Sequence, residues 1–346
     1  MRGVEITYGE LTNIGSCPNR QSKITEIANQ KLFMAKFLSK AINPWYPATA
    51  IGLEKGVVSV VDLDGGRGKA CTLRRAATIG IGESLIQPSF DEPNIPVSEQ
   101  LAVALQELAA SAGLLRQKRW SVSLPEATTR TFILTLDSHS GSELQDVLKW
   151  KMERGFGVGL EDLSISKERL QKDLQGRDRY LVSGIKKSVL AEYEAVFESL
   201  GWRTGLVLPR HLGEAQWLVR NGTGGDSLLL SASSDGFTAV IFRDKYPLIV
   251  RTVTCESEDV VDEFYRLLLF YRDRHTAEGQ DSRELLTRLM VVGEGFTKQR
   301  ATEIVNETMG GDLRVLDAEE LGLQLPSSEL SFDAIAAPAG LATLSR

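Results

Sequence analysis

Two strand–turn–strand segments, one in each half of the chain, constrain the fold more strongly than any other feature of the sequence. The first spans Ile51–Leu63 and the second spans Leu228–Val250. In both, apolar and polar residues alternate around a short polar turn, which is typical of a β-hairpin. Both also look like glycine-rich phosphate loops whose working residues have been replaced. Because one hairpin opens each half, the sequence predicts a duplicated α/β architecture around a central cleft.

Size and composition narrow the class of protein. The 346 residues predict two or more compact units, and 42% hydrophobic with 25% charged residues is typical of a globular protein. The sequence contains no apolar run of membrane-spanning length and no secretory signal at its polar N-terminus, so we expect a cytosolic protein. The net charge of −6 does not favour phosphate backbones, and nucleic acid is not an expected partner.

The cysteines and histidines do not predict a metal site or a nucleophilic enzyme. Cys17, Cys71 and Cys255 are far apart and form no CxxC pair, so reduced thiols are expected. The histidines have no second ligand at metal spacing and no nucleophile motif nearby, and are interpreted as surface residues. They are His139, His211 and His275.

Residues 1–43 are predicted to form a flexible tail followed by a short basic amphipathic helix. The tail has little apolar periodicity, whereas the apolar residues of Gln30–Ile42 follow helical spacing. One interpretation is attachment to an anionic membrane surface through Lys31, Lys36 and Lys40. The other is packing of this helix against its own domain. Met34 is an alternative start of the protein.

The rest of the chain alternates strands and helices, as expected for an α/β protein. The predicted strands after the first hairpin are Trp120–Leu124, Thr131–Leu136, Tyr180–Ile185, Arg203–Leu208, Arg288–Val292 and Leu313–Leu316. The predicted helices are one that begins near Ser98, as its cap, and Ser142–Arg154, Ser188–Leu200, Glu258–Arg274, Lys298–Met309 and Phe332–Leu344. The glycine-rich segment Asn221–Gly225 marks the boundary between the halves.

Three further motifs favour structural roles. Gly65–Ala70 lacks the spacing and the hydroxyl residue of a P-loop and is interpreted as a hairpin turn. Gly155–Gly159 follows a helix rather than a strand, so it lacks the context of a dinucleotide fingerprint. Glu54, Asp62 and Asp64 suggest a magnesium cluster, but alternate residues of a strand are more often a solvated face.

Several segments, taken in order, resemble the PilM family of type IV pilus assembly proteins, cytoplasmic actin-like relatives of FtsA. They are Leu148–Arg154 with Leu160–Leu163, Tyr180–Tyr193 with Leu200–Trp202, and Ala337–Ala342. The resemblance extends from about Ala50 to the end. It implies an actin-like fold, a duplicated RNase-H-like α/β structure with a small inserted subdomain and a reduced second half. The implied bounds are 44–220 for the first half, about 131–207 for the insertion and 221–346 for the second half.

The nucleotide loops depart from the family pattern. In the first loop Glu54 replaces the family's aspartate, and Gly56 is followed by bulky valines in a shortened turn. In the second, Ser231 stands at the aspartate position, while Ser233 and Asp235 replace glycines. A third element, Val291–Phe296, resembles the family's glycine turn on the adenosine side of the nucleotide and is partly kept. The resulting positions of a degenerate nucleotide cleft are Glu54, Gly56, Ser231, Ser233, Asp235, Gly236, Gly293 and Gly295. Val250 to Glu258 also leads almost directly into a helix, where the family has a helical subdomain beside the nucleotide.

These departures predict a non-catalytic scaffold with no required cofactor, located in the cytoplasm and peripheral to the inner membrane. The resemblance implies a type IV pilus or related secretion platform, and as partner the cytoplasmic segment of a PilN-like membrane protein. Its groove is predicted at Trp120, Val122, Phe132, Leu134 and Trp150. The alternative function is a divergent ATP-binding switch or ATPase that uses magnesium. A secretion module with the same fold but without pili is a third interpretation, and the oligomeric state stays open.

Overall fold

The computed structural model describes residues 46–64, 71–137, 142–221, 225–276, 286–311, 313–325 and 330–345. The predicted tail, the basic helix and the Gly65–Ala70 turn therefore lie outside the described residues. The strands are β1 (Thr49–Glu54), β2 (Val57–Asp64), β3 (Cys71–Gly80), β4 (Arg119–Leu124), β5 (Arg130–Leu136), β6 (Leu163–Leu170), β7 (Asp178–Lys186), β8 (Arg203–Pro209), β9 (Asp226–Ser233), β10 (Gly236–Arg243), β11 (Tyr246–Thr254), β12 (Leu286–Gly293), β13 (Arg314–Val315) and β14 (Leu323–Gln324). The helices are α1 (Ser98–Ser111), α2 (Ser142–Phe156), α3 (Lys187–Ser199), α4 (Arg210–Arg220), α5 (Val260–Thr276), α6 (Lys298–Met309) and α7 (Phe332–Ala342).

Two sheets repeat one topology. The first has the order β14-β3-β2-β1-β4-β8, and the second has the order β11-β10-β9-β12-β13. In each, the first three strands form an antiparallel meander and the later strands join parallel to the first. A helix follows the third, fourth and fifth strand of both halves. The duplicated α/β architecture predicted from the paired hairpins is confirmed.

The small third sheet lies between β4 and β8 in sequence. It is antiparallel, with the order β5-β7-β6, and α2 covers one of its faces. Phe132 of β5 and Phe156 of α2 stack with ring centroids 4.9 Å apart. Its own apolar cluster, which includes Leu136, Leu148 and Val182, makes it a distinct packing unit inside the first half.

Helices α4 and α7 occupy the layer between the two large sheets. One continuous apolar cluster joins Leu63 of the first sheet, Trp217 of α4, Ile335 of α7 and Met290 of the second sheet. Helices α4 and α7 contact each other where Gly213 of α4 crosses Gly340 of α7. A Cβ atom on Gly340 would lie 1.9 Å from the carbonyl oxygen of Gly213, so no larger residue fits this crossing. Helices α1 and α3 cover the outer face of the first sheet, and α5 and α6 that of the second.

Several local predictions are confirmed and others are wrong. Helix α6 has the predicted bounds, because the Thr297 hydroxyl caps its first turn and Gly310 ends it at φ 74°. The hairpin β10–β11 leads into α5 after the short segment 255–259, as expected for a reduced second half. Ser98, in contrast, is the first helical residue rather than the cap, since Val97 occupies the cap position without a side-chain hydrogen bond.

Candidate functional site

The first hairpin ends in a turn too short to surround a phosphate. Glu54, the last residue of β1, pairs directly with Val57, which leaves only Lys55 and Gly56 in the turn. Gly56 has φ 81°, a conformation that this tight turn requires. The predicted shortening of this loop is confirmed. The Glu54 side chain remains 24% exposed and points toward α4, where it meets Arg210.

The second hairpin repeats the tight turn. Ser233 pairs with Gly236, so the turn consists of Ser234 and Asp235. Ser231 lies inside β9, 3% exposed, and pairs with Thr238. The Ser233 hydroxyl donates to the Gly236 carbonyl oxygen over 3.3 Å. The polar side chains that replace the family's glycines therefore serve a closed hairpin.

Arg210 lies between the two halves at the base of the cleft. Its Nε donates to Oε1 of Glu214 over 2.6 Å, and its Nη1 lies 3.6 Å from Oε2 of Glu54. On the other side, a Cβ atom on Gly293 would lie 2.5 Å from Nη2 of Arg210. Only a glycine at φ 101° leaves room for the guanidinium there. The Arg210 guanidinium thus connects the Glu54 carboxylate of the first hairpin to the turn at Gly293 in the second half.

The electrostatics of Glu54 follow from this arrangement. Burial raises its pKa, Arg210 lowers it, and the carboxylates of Glu214 and Glu126 raise it again, to about 7. One arginine thus faces more carboxylates than it can neutralise. Glu54 therefore keeps its proton to higher pH than an ordinary glutamate does.

A second polar cluster connects the halves beside Arg210. Oε1 of Glu126, which follows β4, accepts a hydrogen bond of 2.7 Å from the Thr238 hydroxyl of β10. Nδ1 of His211 lies 2.7 Å from Oε2 of the same carboxylate. Burial alone would raise the pKa of Glu126, but His211 and Thr238 hold it below its ordinary value. Glu126 thus acts as an ionised acceptor that spans the cleft.

The histidine prediction is wrong where it can be checked. His211 is fully buried at 0% exposure, because α4 turns it toward Glu126 in the first half. His139 lies outside the described residues, as does Cys17, while Cys71 and Cys255 are free thiols as expected.

The described residues do not fit a magnesium-bound triphosphate. Each turn has only two residues between its paired strands, too few for the run of backbone amides that cradles phosphate, and the Arg210 guanidinium lies 3.6 Å from the Glu54 carboxylate. Glu54, Asp62 and Asp64 do not come together as a carboxylate cluster, since Asp62 pairs with Thr49 at the opposite end of the hairpin from Glu54. Asp64 instead forms an ion pair with Arg74 at 2.7 Å. Within the described ranges, no group of three or more metal-ligating side chains comes together.

The turn at the end of β12, predicted to lie on the adenosine side of the cleft, contains two glycines with positive φ. Gly293 and Gly295 have φ 101° and 91°. The Gly293 amide donates to Oδ1 of Asp333, at the start of α7, over 3.4 Å. This turn is therefore tied to the central helix layer and to Arg210.

The predicted partner groove divides into two sets of residues. Trp120 and Val122 are 0% and 1% exposed, so their side chains belong to the core of the first half and cannot line an open groove. Phe132 and Leu134 on β5 are half-buried. Trp150 on α2 is 56% exposed, with Arg154 stacked 5.6 Å from its ring centroid. Only these last three remain available to a partner.

Helix α4, which carries Arg210, His211 and Glu214, was missed at the level of sequence. Seven of its eleven residues are buried, among them positions 211, 214, 215 and 218 at helical spacing, but three of the seven, Arg210, His211 and Glu214, are ionisable. The i,i+4 pair Arg210–Glu214 directly after Pro209 is the signal that indicates a helix start here.

No helix in the described part of the chain combines the length and the apolar character needed to cross a membrane.

No protein-family model and no curated protein matches the sequence. Solved structures do match. The PilM–PilN type IV pilus biogenesis complex superposes with a TM-score of 0.66 at 15% identity, covering 86% of this chain and 98% of that chain.

Two weaker matches are a Bacteroides thetaiotaomicron protein with an actin-like ATPase fold and unknown function, and the cytoplasmic domain of EpsL, an inner-membrane component of the type II secretion system of Vibrio cholerae. Their TM-scores are 0.45 and 0.44, both at 12% identity. They cover 78% and 86% of this chain and 90% and 95% of their own chains. At these identities a likeness shows the fold alone. The repeated strand order and the match to the PilM–PilN complex at a TM-score of 0.66 together establish that this chain has an actin-like α/β fold.

Proposed function

We propose that this protein is a non-catalytic cytoplasmic scaffold of a type IV pilus or related secretion assembly platform at the inner membrane. The observation that carries the proposal is the Arg210 guanidinium, which lies between Glu54 of the first hairpin and Gly293 of the second half. A residue of the chain itself thereby connects the two cleft elements that a nucleotide would connect in an active member of the fold.

The energetics favour this internal connection over a nucleotide. A triphosphate would add negative charge beside Glu54, Glu126 and Glu214, with Arg210 already committed to Glu214 at 2.6 Å. Separating a buried ion pair leaves an uncompensated charge, which costs about 3–5 kcal/mol. ATP would have to overcome that cost in addition to opening two tight turns. Hydrolysis is therefore not expected.

The proposed partner is the cytoplasmic segment of a PilN-like membrane protein. Support comes from the likeness to the PilM–PilN complex and from Trp150, a large side chain that is 56% exposed on α2. Exposed aromatic residues are frequent anchors of interfaces. We place the segment along β5 and α2, near Phe132, Leu134 and Trp150. The peripheral location at the inner membrane, through this partner and the 30–42 helix, belongs to the same proposal.

The first test is isothermal titration of the folded protein with ATP and magnesium. The scaffold proposal predicts no heat and no thermal stabilisation at millimolar nucleotide. Micromolar binding would contradict it and would favour the divergent ATP switch.

The second test is titration with a synthetic peptide that corresponds to the cytoplasmic segment of a PilN-like protein from the same organism. Trp150→Ala should weaken binding about tenfold or more, as loss of an interface anchor does. Leu115→Ala, at an apolar residue that is also 49% exposed, is the matched control and should bind as the wild type does. Equal binding by both variants would remove Trp150 from the interface, and no binding to the folded wild type would remove this partner.

A further inference from the structure

A second cavity, remote from the Arg210 cluster, lies between the inserted sheet and the second half. It has a volume of about 420 Å³. One wall is formed by β5 and the loop from β6 to β7, and the other by the β10–β11 hairpin and α5. Phe132 lines this cavity and is shared with the surface proposed for a PilN-like segment, whereas Leu134 and Trp150 do not line it. We name this cavity the basic groove; its arginines and its second wall, from the β10–β11 hairpin and α5, are not part of the surface proposed for that segment.

Positive charge is concentrated in the basic groove although the chain as a whole is acidic. Five basic and two acidic side chains line it, whereas the net charge of the chain is −6. Three of the basic side chains are already paired, since Arg243 pairs with Asp226 at 3.0 Å, Arg177 with Asp173 at 2.6 Å and Lys172 with Asp178 at 3.4 Å. This leaves the positive charges of Arg179 and Arg274 against the single carboxylate of Asp244.

Arg179 is a buried cation held by neutral acceptors. It is 9% exposed, and its Nη2 donates to the carbonyl oxygens of Pro247 and Leu248 over 3.2 and 2.8 Å. Carbonyl dipoles fix its position without cancelling its charge. Burial lowers its pKa, the charge of Arg274 lowers it further, Asp173 raises it and Arg243 lowers it again, so Arg179 and Arg274 are close enough to repel one another. An anion between them would relieve that repulsion.

Arg274 supplies the accessible charge. It lies on the last turns of α5, is exposed, and forms no ion pair with any residue that the structure describes. Guanidinium groups bind carboxylates in paired, planar hydrogen bonds. Arg179 in the floor and Arg274 at the edge thus provide one fixed and one adjustable carboxylate-binding group.

The rim of the basic groove is apolar. Leu174, Phe270 and Tyr246 are 80%, 60% and 45% exposed, and each belongs to a different wall element. Large apolar side chains clustered at the mouth of a cavity are typical of interaction sites rather than of ordinary surface. Inorganic phosphate would use the arginines but not this rim, whereas a peptide can contact both.

We propose that the basic groove binds an acidic peptide segment of a partner protein, with carboxylates at Arg179 and Arg274 and apolar side chains on the rim. The opposite charge of the surrounding surface would direct such a segment to this position.

The test is selection of a random short-peptide phage library on the full-length protein, with unbound phage removed at low salt. The peptides recovered should be rich in Asp and Glu together with Leu, Phe or other large apolar residues. Synthetic versions should lose about tenfold or more in affinity with Arg274→Glu, and several-fold with Phe270→Ala. Both side chains are exposed, so these variants should fold normally.

Arg300→Glu is the matched control, because it makes the same charge change on α6 at a side chain that is 49% exposed and outside the basic groove. It should leave peptide affinity unchanged. Recovered peptides without acidic enrichment, or equal losses with Arg274→Glu and Arg300→Glu, would overturn the proposal. So would Arg274-dependent binding of an oligothymidylate probe without selection of acidic peptides, since the groove would then recognise polyanions. Binding of the PilN-like segment should be unaffected by Arg274→Glu, which separates this test from that of the proposed function.

Discussion

Replacement of Glu54 by glutamine should change how the stability of the protein depends on pH. Glu54 has a folded-state pKa of about 7 against an ordinary value of 4.5. As pH rises above 4.5 the unfolded chain ionises here, while the folded protein keeps its proton until about pH 7. The unfolded state therefore binds fewer protons in this window, and the free energy of unfolding falls as pH rises.

The magnitude follows from the same two values. For a carboxyl group with these two pKa values, the free energy of unfolding falls by roughly 2.5 kcal/mol between about pH 5 and pH 8. The Glu54 side chain is 24% exposed, and solvent screening reduces the effect, so we expect roughly 1 to 2.5 kcal/mol. Glu54→Gln resembles the protonated form and should remove this part of the dependence. The free energy of unfolding of the variant should therefore increase relative to that of the wild type as pH rises.

The assay is urea unfolding, followed by circular dichroism, of wild type and variant across this pH window. The quantity of interest is the difference between the two free energies of unfolding, in which the contributions of other groups largely cancel. Glu83→Gln, at an exposed carboxylate beside the same turn, is the control and should follow the wild-type curve. A difference between Glu54→Gln and wild type that stays constant with pH would refute the reasoning.

Three other substitutions test the cleft and the central helix layer. Arg210→Met should destabilise the protein by about 3–5 kcal/mol, measured by chemical unfolding, and the double variant with Glu214→Met should recover part of the loss because the buried charge of Glu214, which the single variant leaves without Arg210, is removed as well. Gly340→Ala should cost more than about 3 kcal/mol, since its Cβ would lie 1.9 Å from a carbonyl oxygen, whereas Gly82→Ala, with its nearest contact at 3.8 Å, should be neutral. Thr238→Val should cost about 1–3 kcal/mol above the ordinary pKa of Glu126 and little at lower pH, where that carboxylate is protonated in both states; the same cost at every pH would contradict this account.

The parts of the fold that depend on local signals were predictable. The two hairpins follow from alternation around short turns, and α6 follows from its Thr297 cap and its terminal Gly310. In contrast, β6 was missed because its central residues are exposed and polar, as suits the outer strand of the small sheet. No apolar alternation marks such a strand in the sequence.

The candidate site was half predictable for a different reason. Glu54, Gly56 and Gly293 were identified because turn glycines and strand ends are local features. Arg210 and His211 were not, because their burial depends on contacts with Glu54 and Glu126, which are distant in sequence. Charged residues indicate solvent exposure unless a partner is known, and the partner becomes visible only once both halves are in place.

Contacts between residues that are distant in sequence also hold the two halves of the cleft together. Three contacts join the halves through the chain's own atoms: Arg210 between Glu54 and Gly293, the Thr238 hydroxyl on Glu126, and the glycine crossing of α4 and α7. In a ligand-gated cleft, the closed arrangement is stabilised by the ligand and is lost with it. Here the stabilising groups are covalently part of the protein, so the scaffold proposal predicts that the relative position of the halves does not depend on a nucleotide. Surfaces formed by both halves, such as the basic groove, then keep a constant geometry, which a scaffold needs and a nucleotide switch would not retain.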